Sequence, residues 1–170
     1  MTNMTMTGNN MILAIDPGNI ESAYCIIDKE TYKPVVFEKI DNKVLREKIV
    51  NELCRYPIET VAIEMVASYG MPVGATVFET CVWIGRFIES VKCPNTHFIY
   101  RKEEKMNICG SMKAKDSNIR QALIDRFGEV GTKNNPGWFY GFKADIWQAY
   151  AVGVTWLDKQ KEVSNNGIYK

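Results

Sequence analysis

Apolar and polar positions along the chain fall into two regimes, short continuous apolar runs and longer stretches with helical spacing. Residues 12–15 (ILAI) are apolar without interruption, as in a strand covered on both faces, and residues 24–27 (YCII) repeat the pattern after a short polar connection. So short a connection predicts an antiparallel pair. PVVFEK, from Pro34, predicts a third strand at the sheet edge, where a proline in the first position is tolerated. Val44, Leu45, Ile49 and Leu53 then follow helical spacing up to Tyr56-Pro57. TVAIEMV, from Thr60, returns to a strand, and the loop ASYGMPVG leads into a helix over 75–91 and a strand HFIY over 97–100. Helices over 115–127 and from 143 to about 158 complete the chain. Three meandering strands followed by alternating helices and strands predict an α/β domain with a mixed sheet, its late strands parallel to the first. The pattern assigns 11–158 to one domain, 1–10 to a disordered lead-in and 159–170 to a tail.

Composition narrows this picture slightly. The 170 residues, 46% hydrophobic and 24% charged, suit one globular domain that needs no disulfide or structural metal to fold. A net charge of +1 excludes a general polyanion-coating role, so any nucleic-acid surface has to be local. The five cysteines (Cys25, Cys54, Cys81, Cys93, Cys109) include no C-x-x-C pair and lie mostly in apolar or amphipathic segments, as reduced core cysteines do. With no secretory leader and no run of roughly 18 apolar residues, the expectation is a soluble cytoplasmic protein without a membrane partner.

Three acids do not fit their surroundings. Asp16 ends the first apolar strand, Glu64 interrupts VAIEMV, and Asp145 opens the final helix, where Ile146, Ala149, Tyr150, Gly153 and Leu157 share a face. Ionised carboxylates in buried positions cost several kcal/mol unless paired, hydrogen-bonded or metal-bound. No Lys or Arg lies close to either strand acid in sequence, so compensation must come from a divalent cation or a distant basic side chain. Asp16 in Asp-Pro-Gly also suits a turn, and Asp145 suits a helix start, where it complements the dipole; Glu64 has no such explanation. Three acids on adjacent elements suit a hard cation such as Mg²⁺ or Mn²⁺ better than zinc. The sole histidine, His97, reads as a core or edge residue.

ILAIDPG at 12–18, VAIEMV at 61–66, YRKEEKMNICGSMKAKDSNIRQAL at 100–123 and ADIWQAYAVGVTW at 144–156 together resemble the RuvC-type Holliday junction resolvases, phage-like members included, of the RNase H-like superfamily. The resemblance covers nearly the whole domain. It implies a mixed five-stranded sheet flanked by helices, a homodimer, and paired symmetric nicks in four-way or other branched DNA by two-metal hydrolysis with Mg²⁺ or Mn²⁺. It implies Asp16, Glu64 and Asp145 as catalytic metal ligands and Lys105 as a catalytic contact to the phosphate.

The chain departs from the family pattern in three places. A second carboxylate expected one turn after Asp145 is replaced by Gln148, whose carbonyl can ligate Mg²⁺ weakly. Asp116 stands where the family has a basic residue, and either supplies the missing ligand or caps its helix. An aromatic wedge expected three residues after Glu64 is Ala67, and the nearest aromatic is Tyr69, either a stacking residue at the junction centre or a loop residue packed on its own domain. Arg101, Lys102, Lys105, Lys113 and Lys115 form the candidate DNA surface, on a segment expected to be a loop around Cys109-Gly110-Ser111; its alternative is a solvated mixed-charge surface. Glu79, Trp83 and Phe87 share one face of the 75–91 helix, the family's dimer helix, although a core stripe accounts for the two aromatics equally well. Readings kept beside the resolvase are a nuclease of other specificity on the same fold and a non-catalytic branched-DNA-binding module.

Overall fold

The computed structural model describes residues 10–93 and 95–167; most of the expected lead-in and the end of the expected tail lie outside these residues. The elements in chain order are β1 (Met11–Asp16), β2 (Glu21–Asp28), β3 (Pro34–Asp41), α1 (Asn42–Asn51), a 3₁₀ turn (Leu53–Arg55), β4 (Ile58–Met65), α2 (Ala75–Val91), β5 (Thr96–Tyr100), α3 (Arg101–Cys109), α4 (Asp116–Phe127) and α5 (Ile146–Gly167). The five strands make one sheet in the order β3-β2-β1-β4-β5. β1 pairs antiparallel with β2 and β2 with β3, whereas β4 runs parallel to β1 and β5 parallel to β4. This is the RNase H-like α/β architecture, and the continuous apolar runs of β1 and β2 follow from its layering: helices cover both faces of the central strands.

The alternation of side chains along each strand divides the core in two. Ile12 and Ala14 of β1, Ala23, Cys25 and Ile27 of β2, and Ala62 of β4 face α5 and α4. Leu13, Ile15, Tyr24, Ile26, Val61 and Ile63 face α1 and α2, where Leu45, Ile49, Ile84 and Phe87 meet them. α5 lies so close to the sheet that a Cβ on Gly153 would come within 2.4 Å of Ile27 Cδ1 and 3.0 Å of Ala14 Cβ. Glycine at 153 is therefore what lets the helix backbone approach β1 and β2 and carry its N-terminal end over the end of β1.

Three expectations require correction. The segment read as a basic loop is mostly the helix α3, ended by Gly110 in a left-handed conformation (φ 63°). The pattern was obscured because RKEEK carries no apolar stripe; α3 buries a charged residue, Glu104, instead. The final helix starts at Ile146 rather than 143 and runs on to Gly167, so much of the stretch read as a tail is helical. Of the five cysteines only Cys25 is buried, and Cys54 is exposed. Among the described residues no helix is long and apolar enough to cross a membrane.

Candidate active site

β1 presents Ile12, Ala14 and then Asp16 to the α5 side of the sheet, so Asp16 stands where the apolar row ends. The turn that follows is held without its carboxylate. The Gly18 N–H donates to Ser22 Oγ (3.0 Å), the Ser22 hydroxyl donates to Asn42 Oδ1 (2.6 Å), and Asn42 Nδ2 donates to the Gly18 carbonyl (2.9 Å). A Cβ on Gly18 would meet the Glu21 carbonyl at 2.3 Å, which explains the glycine. Ser22 and Asn42 thus do the work that Asp-Pro-Gly suggested for Asp16, and leave its carboxylate directed to the site.

Parallel register places Ile15 beside Ile63, so Asp16, the last residue of β1, and Glu64, the last but one of β4, lie on the same face of neighbouring strands. Their side chains share a hydrogen bond. Burial, then the charges of Glu64 and Asp145, push the Asp16 carboxyl well above the usual carboxylate range, against the pull of Arg101. Burial also raises Glu64, opposed by Arg101 and by the hydrogen bond with Asp16. Both carboxyls are thus easier to protonate than free ones, Asp16 more so than Glu64.

Asp145 immediately precedes α5; its carbonyl accepts the Ala149 N–H (3.0 Å). Ala144, just before it, adopts a left-handed conformation (φ 45°) that disfavours residues with a Cβ. The Asp145 carboxylate is bound by Lys39 Nζ at 2.7 Å. Lys39 reaches it across the sheet, since Asp16 faces Ala23 on β2 and Ala23 faces Lys39 on β3.

The opposite wall is built around Arg101, the first residue of α3. Its Nη1 donates to Glu104 Oε2 (2.7 Å) and to Gln148 Oε1, and its Nη2 to Asp116 Oδ1. Gln148 and Asp116 are thereby drawn into the cluster, but as acceptors of a guanidinium. Asp116 occupies the first turn of α4 and not its N-cap, which is Lys115; the Lys115 N–H is received by Asn118 Oδ1 (2.8 Å). Glu104 is fully buried, and among the described residues its Oε1 has no hydrogen-bond partner.

The remaining candidates lie further out. Lys102, Lys113 and Lys115 are exposed, and Lys105 is half-buried on α3. Tyr69 and Gly70 both have positive φ (47° and 82°), and the Met71 N–H bonds the Ser68 carbonyl at 2.8 Å, so Tyr69 sits in a tight turn with 63% of its surface exposed. It is not packed into its own domain.

Sequence reasoning missed Lys39, Glu104 and the role of Arg101. Lys39 shares a face with Phe37, and two-residue alternation on β3 could have pointed to it. For Glu104 the only signal was its i, i+3 spacing from Arg101.

Among the described residues no three acidic, histidine or cysteine side chains close into a ready ligand shell. The donor chemistry nevertheless fits a hard divalent ion of the Mg²⁺ type, which takes one or two carboxylates, keeps several waters and completes its shell with a substrate phosphate. Asp16 and Glu64 supply such a pair. Asp145 lies near enough for its charge to act on Asp16, but it is paired with Lys39.

No family model matches the chain, and no curated protein sequence matches it. Solved structures do. The Thermus thermophilus RuvC structure superposes with a TM-score of 0.68 over 89% of this chain and 96% of its own, at 15% identity. The same protein in complex with a Holliday junction substrate gives 0.64 over 85% and 90%, at 13% identity. The yeast mitochondrial Holliday junction resolvase Ydc2 gives 0.62 over 96% and 86%, at 10% identity. At these identities the likeness is one of fold, and the fold this chain shares over nearly its full length is that of the RuvC-type resolvases.

Proposed function

We propose that the protein is a metal-dependent, structure-selective endodeoxyribonuclease that cuts branched DNA, with four-way junctions as its substrate. The observation that carries this reading is the pairing of Asp16 and Glu64 at the ends of adjacent parallel strands. These are two half-buried carboxylates with no structural task in their turn or strand, next to Asp145 at a helix start. The shared fold with proteins described as Holliday junction resolvases supports the substrate class.

In the reaction, one water adds across a phosphodiester. Its oxygen bonds to phosphorus, the P–O3′ bond breaks, one proton passes to the leaving 3′ oxygen and the other is released. A bound Mg²⁺ or Mn²⁺ would supply charge stabilisation and lower the pKa of a bound water. Asp16, Glu64 and Asp145 would hold it. The cation would favour their ionised forms, against the burial that raises Asp16 and Glu64. Lys102 on α3 and Lys113 and Lys115 in the connection to α4, all exposed, would neutralise phosphates, with Lys105 nearer the cut, and exposed Tyr69 offers a ring for stacking on an unpaired base.

Paired cuts need two sites related by a two-fold axis, and a homodimer supplies them. Phe78 and Val82 on α2 expose 60% and 53% of their surfaces, which supports a second copy on this helix. The pairing of Asp145 with Lys39 and of Asp116 with Arg101 favours one competing reading, a non-catalytic module that binds branched DNA. Both are tested by incubating wild type and Asp16→Asn with synthetic four-way junctions and linear duplex, with and without Mg²⁺ or Mn²⁺. Paired nicks on junctions by wild type with metal alone, with junction binding retained by the variant, are expected. Equal nicking by both proteins refutes the site; binding without metal-dependent nicking in either establishes the module.

A further inference from the structure

The charged cluster has two halves. On one side Asp16 and Glu64 pair at the strand ends, with Asp145 nearby at the start of α5 and held by Lys39. On the other, Glu104, Asp116 and Gln148 converge on a single guanidinium from three different helices, α3, α4 and α5. That convergence matters because the second half is where the resemblance implies a ligand to a second metal ion, and the residue there is an amide whose carbonyl oxygen already accepts from Arg101. A guanidinium has five N–H donors in a rigid fork. Three are used, which leaves one on Nη2 and one on Nε without a partner among the described residues, while 23% of the side chain stays exposed. Arg101 is thus a fixed cation beside the carboxylate pair, with two donors left for an incoming anion.

We propose that Arg101 is the resident second cation of this site: the protein takes one divalent ion, at Asp16, Glu64 and Asp145, and Arg101 meets the scissile phosphate where a second ion would otherwise stand. Planar forked donors suit a phosphate's oxygens, and charge developing on them during in-line attack is stabilised by a cation that needs no reorganisation. Glu104, Asp116 and Gln148 act through Arg101 as positioning residues. The assignment rests on the nuclease reading above.

The test counts ions directly. Titration of the metal-free protein with Mn²⁺, followed by the electron paramagnetic resonance signal of free Mn²⁺ and by calorimetry, is expected to give one site per chain in wild type and none in Asp16→Asn. Arg101→Lys keeps a positive charge and a donor beside Glu104, and Arg101→Gln removes the charge; thermal melts identify folded variants. In both, nicking at saturating Mn²⁺ is expected to fall by about 10²–10³-fold, the cost typical of one lost transition-state donor. The Mn²⁺ affinity is expected to change less than about threefold. Two Mn²⁺ per wild-type chain, a second Mn²⁺ site in Arg101→Gln, or full nicking by Arg101→Lys would each overturn the inference while leaving the nuclease reading intact. A wild type that neither binds Mn²⁺ nor nicks would overturn both.

Discussion

Glu104→Gln isolates the energetic consequence of a buried acid in this cluster. Burial, then the negative charge of Glu64, push the Glu104 carboxyl up to about 9 against the pull of Arg101, with Asp16 adding to the rise. The unfolded chain releases this proton near the ordinary value of 4.5, whereas the folded chain keeps it through neutrality. Between those two values the folded state binds more protons than the unfolded one, so stability falls as pH rises. The contribution is complete below about pH 4.5 and fully lost above about pH 9. Integrated from pH 4.5 to pH 7, at ~1.4 kcal/mol per pH step, the loss is about 3 kcal/mol. Glutamine cannot ionise, keeps the shape, and still offers Arg101 a carbonyl oxygen. Thermal melts in EDTA should therefore find the two proteins nearly equal at pH 4.5 and the variant ahead at pH 7 by about 6–12 °C in a chain of this length. A difference that stays constant from pH 5 to 8, or a variant that becomes progressively less stable than wild type, would refute the reasoning. The latter would mean that Glu104 is ionised and paired with Arg101 throughout.

The other expectations are briefer. Asp16→Asn should raise the metal-free melting temperature, for the same reason of sign, while nicking falls by at least about 10²-fold; loss of both stability and activity would make Asp16 a structural residue. Lys39→Met should tighten Mn²⁺ binding by up to about fivefold, because a partly exposed ion pair of this kind is worth only about 0–1 kcal/mol and competes with the ion for Asp145; weaker binding in calorimetry would refute the competition. Gly153→Ala should cost about 1–3 kcal/mol in urea denaturation, since its Cβ would meet Ile27 Cδ1 at 2.4 Å, and a neutral result would mean that α5 can lift from the sheet without loss. Burial alone would raise the Asp158 carboxyl, but hydrogen bonds from Arg126 (2.7 and 2.8 Å), Asn107 (2.8 Å) and Tyr32 (2.8 Å) outweigh it and hold the group low. Its contribution is present above about pH 3.8 and lost as pH falls through the folded value, so Asp158→Asn should cost about 1–3 kcal/mol at pH 7 with the difference closing toward pH 3; a difference independent of pH would count against this.

The sheet was legible because its strands are buried on both faces: uninterrupted apolar runs at 12–15 and 24–27 leave little alternative, and the short connection between them dictates an antiparallel pair. Asp16 and Glu64 stood out against that background, as acids in apolar runs do. α3 was illegible for the opposite reason. Its sequence RKEEKMNIC has no apolar stripe, and it is held in place by what its charges reach: Glu103 receives the Tyr100 N–H (2.7 Å) and binds Lys159, and Arg101 binds α4 and α5. Helical periodicity reads burial of hydrocarbon and is blind to a helix docked by ion pairs. The partners of the three acids were hidden for a related reason. A search for cations near Asp16 in sequence finds none, because register brings Lys39 from two strands away and α3 brings Arg101 from beyond β5.

Those two cations answer the burial problem of the acids in different ways, and the difference bears on chemistry. Lys39 and Asp145 are 30% and 49% exposed, a single contact that solvent screens and an ion can displace. Arg101 has three acceptors on three helices, one of them the fully buried Glu104, and withdrawing it would leave that group's Oε2 without its donor in the interior. A fold that needed both places for metal ions would gain nothing from tying one of them to a guanidinium at the cost of burying an acid beneath it. Glu104 has no access to solvent and so cannot serve the DNA directly; its position makes sense as the anchor that keeps Arg101 aimed at the carboxylate pair.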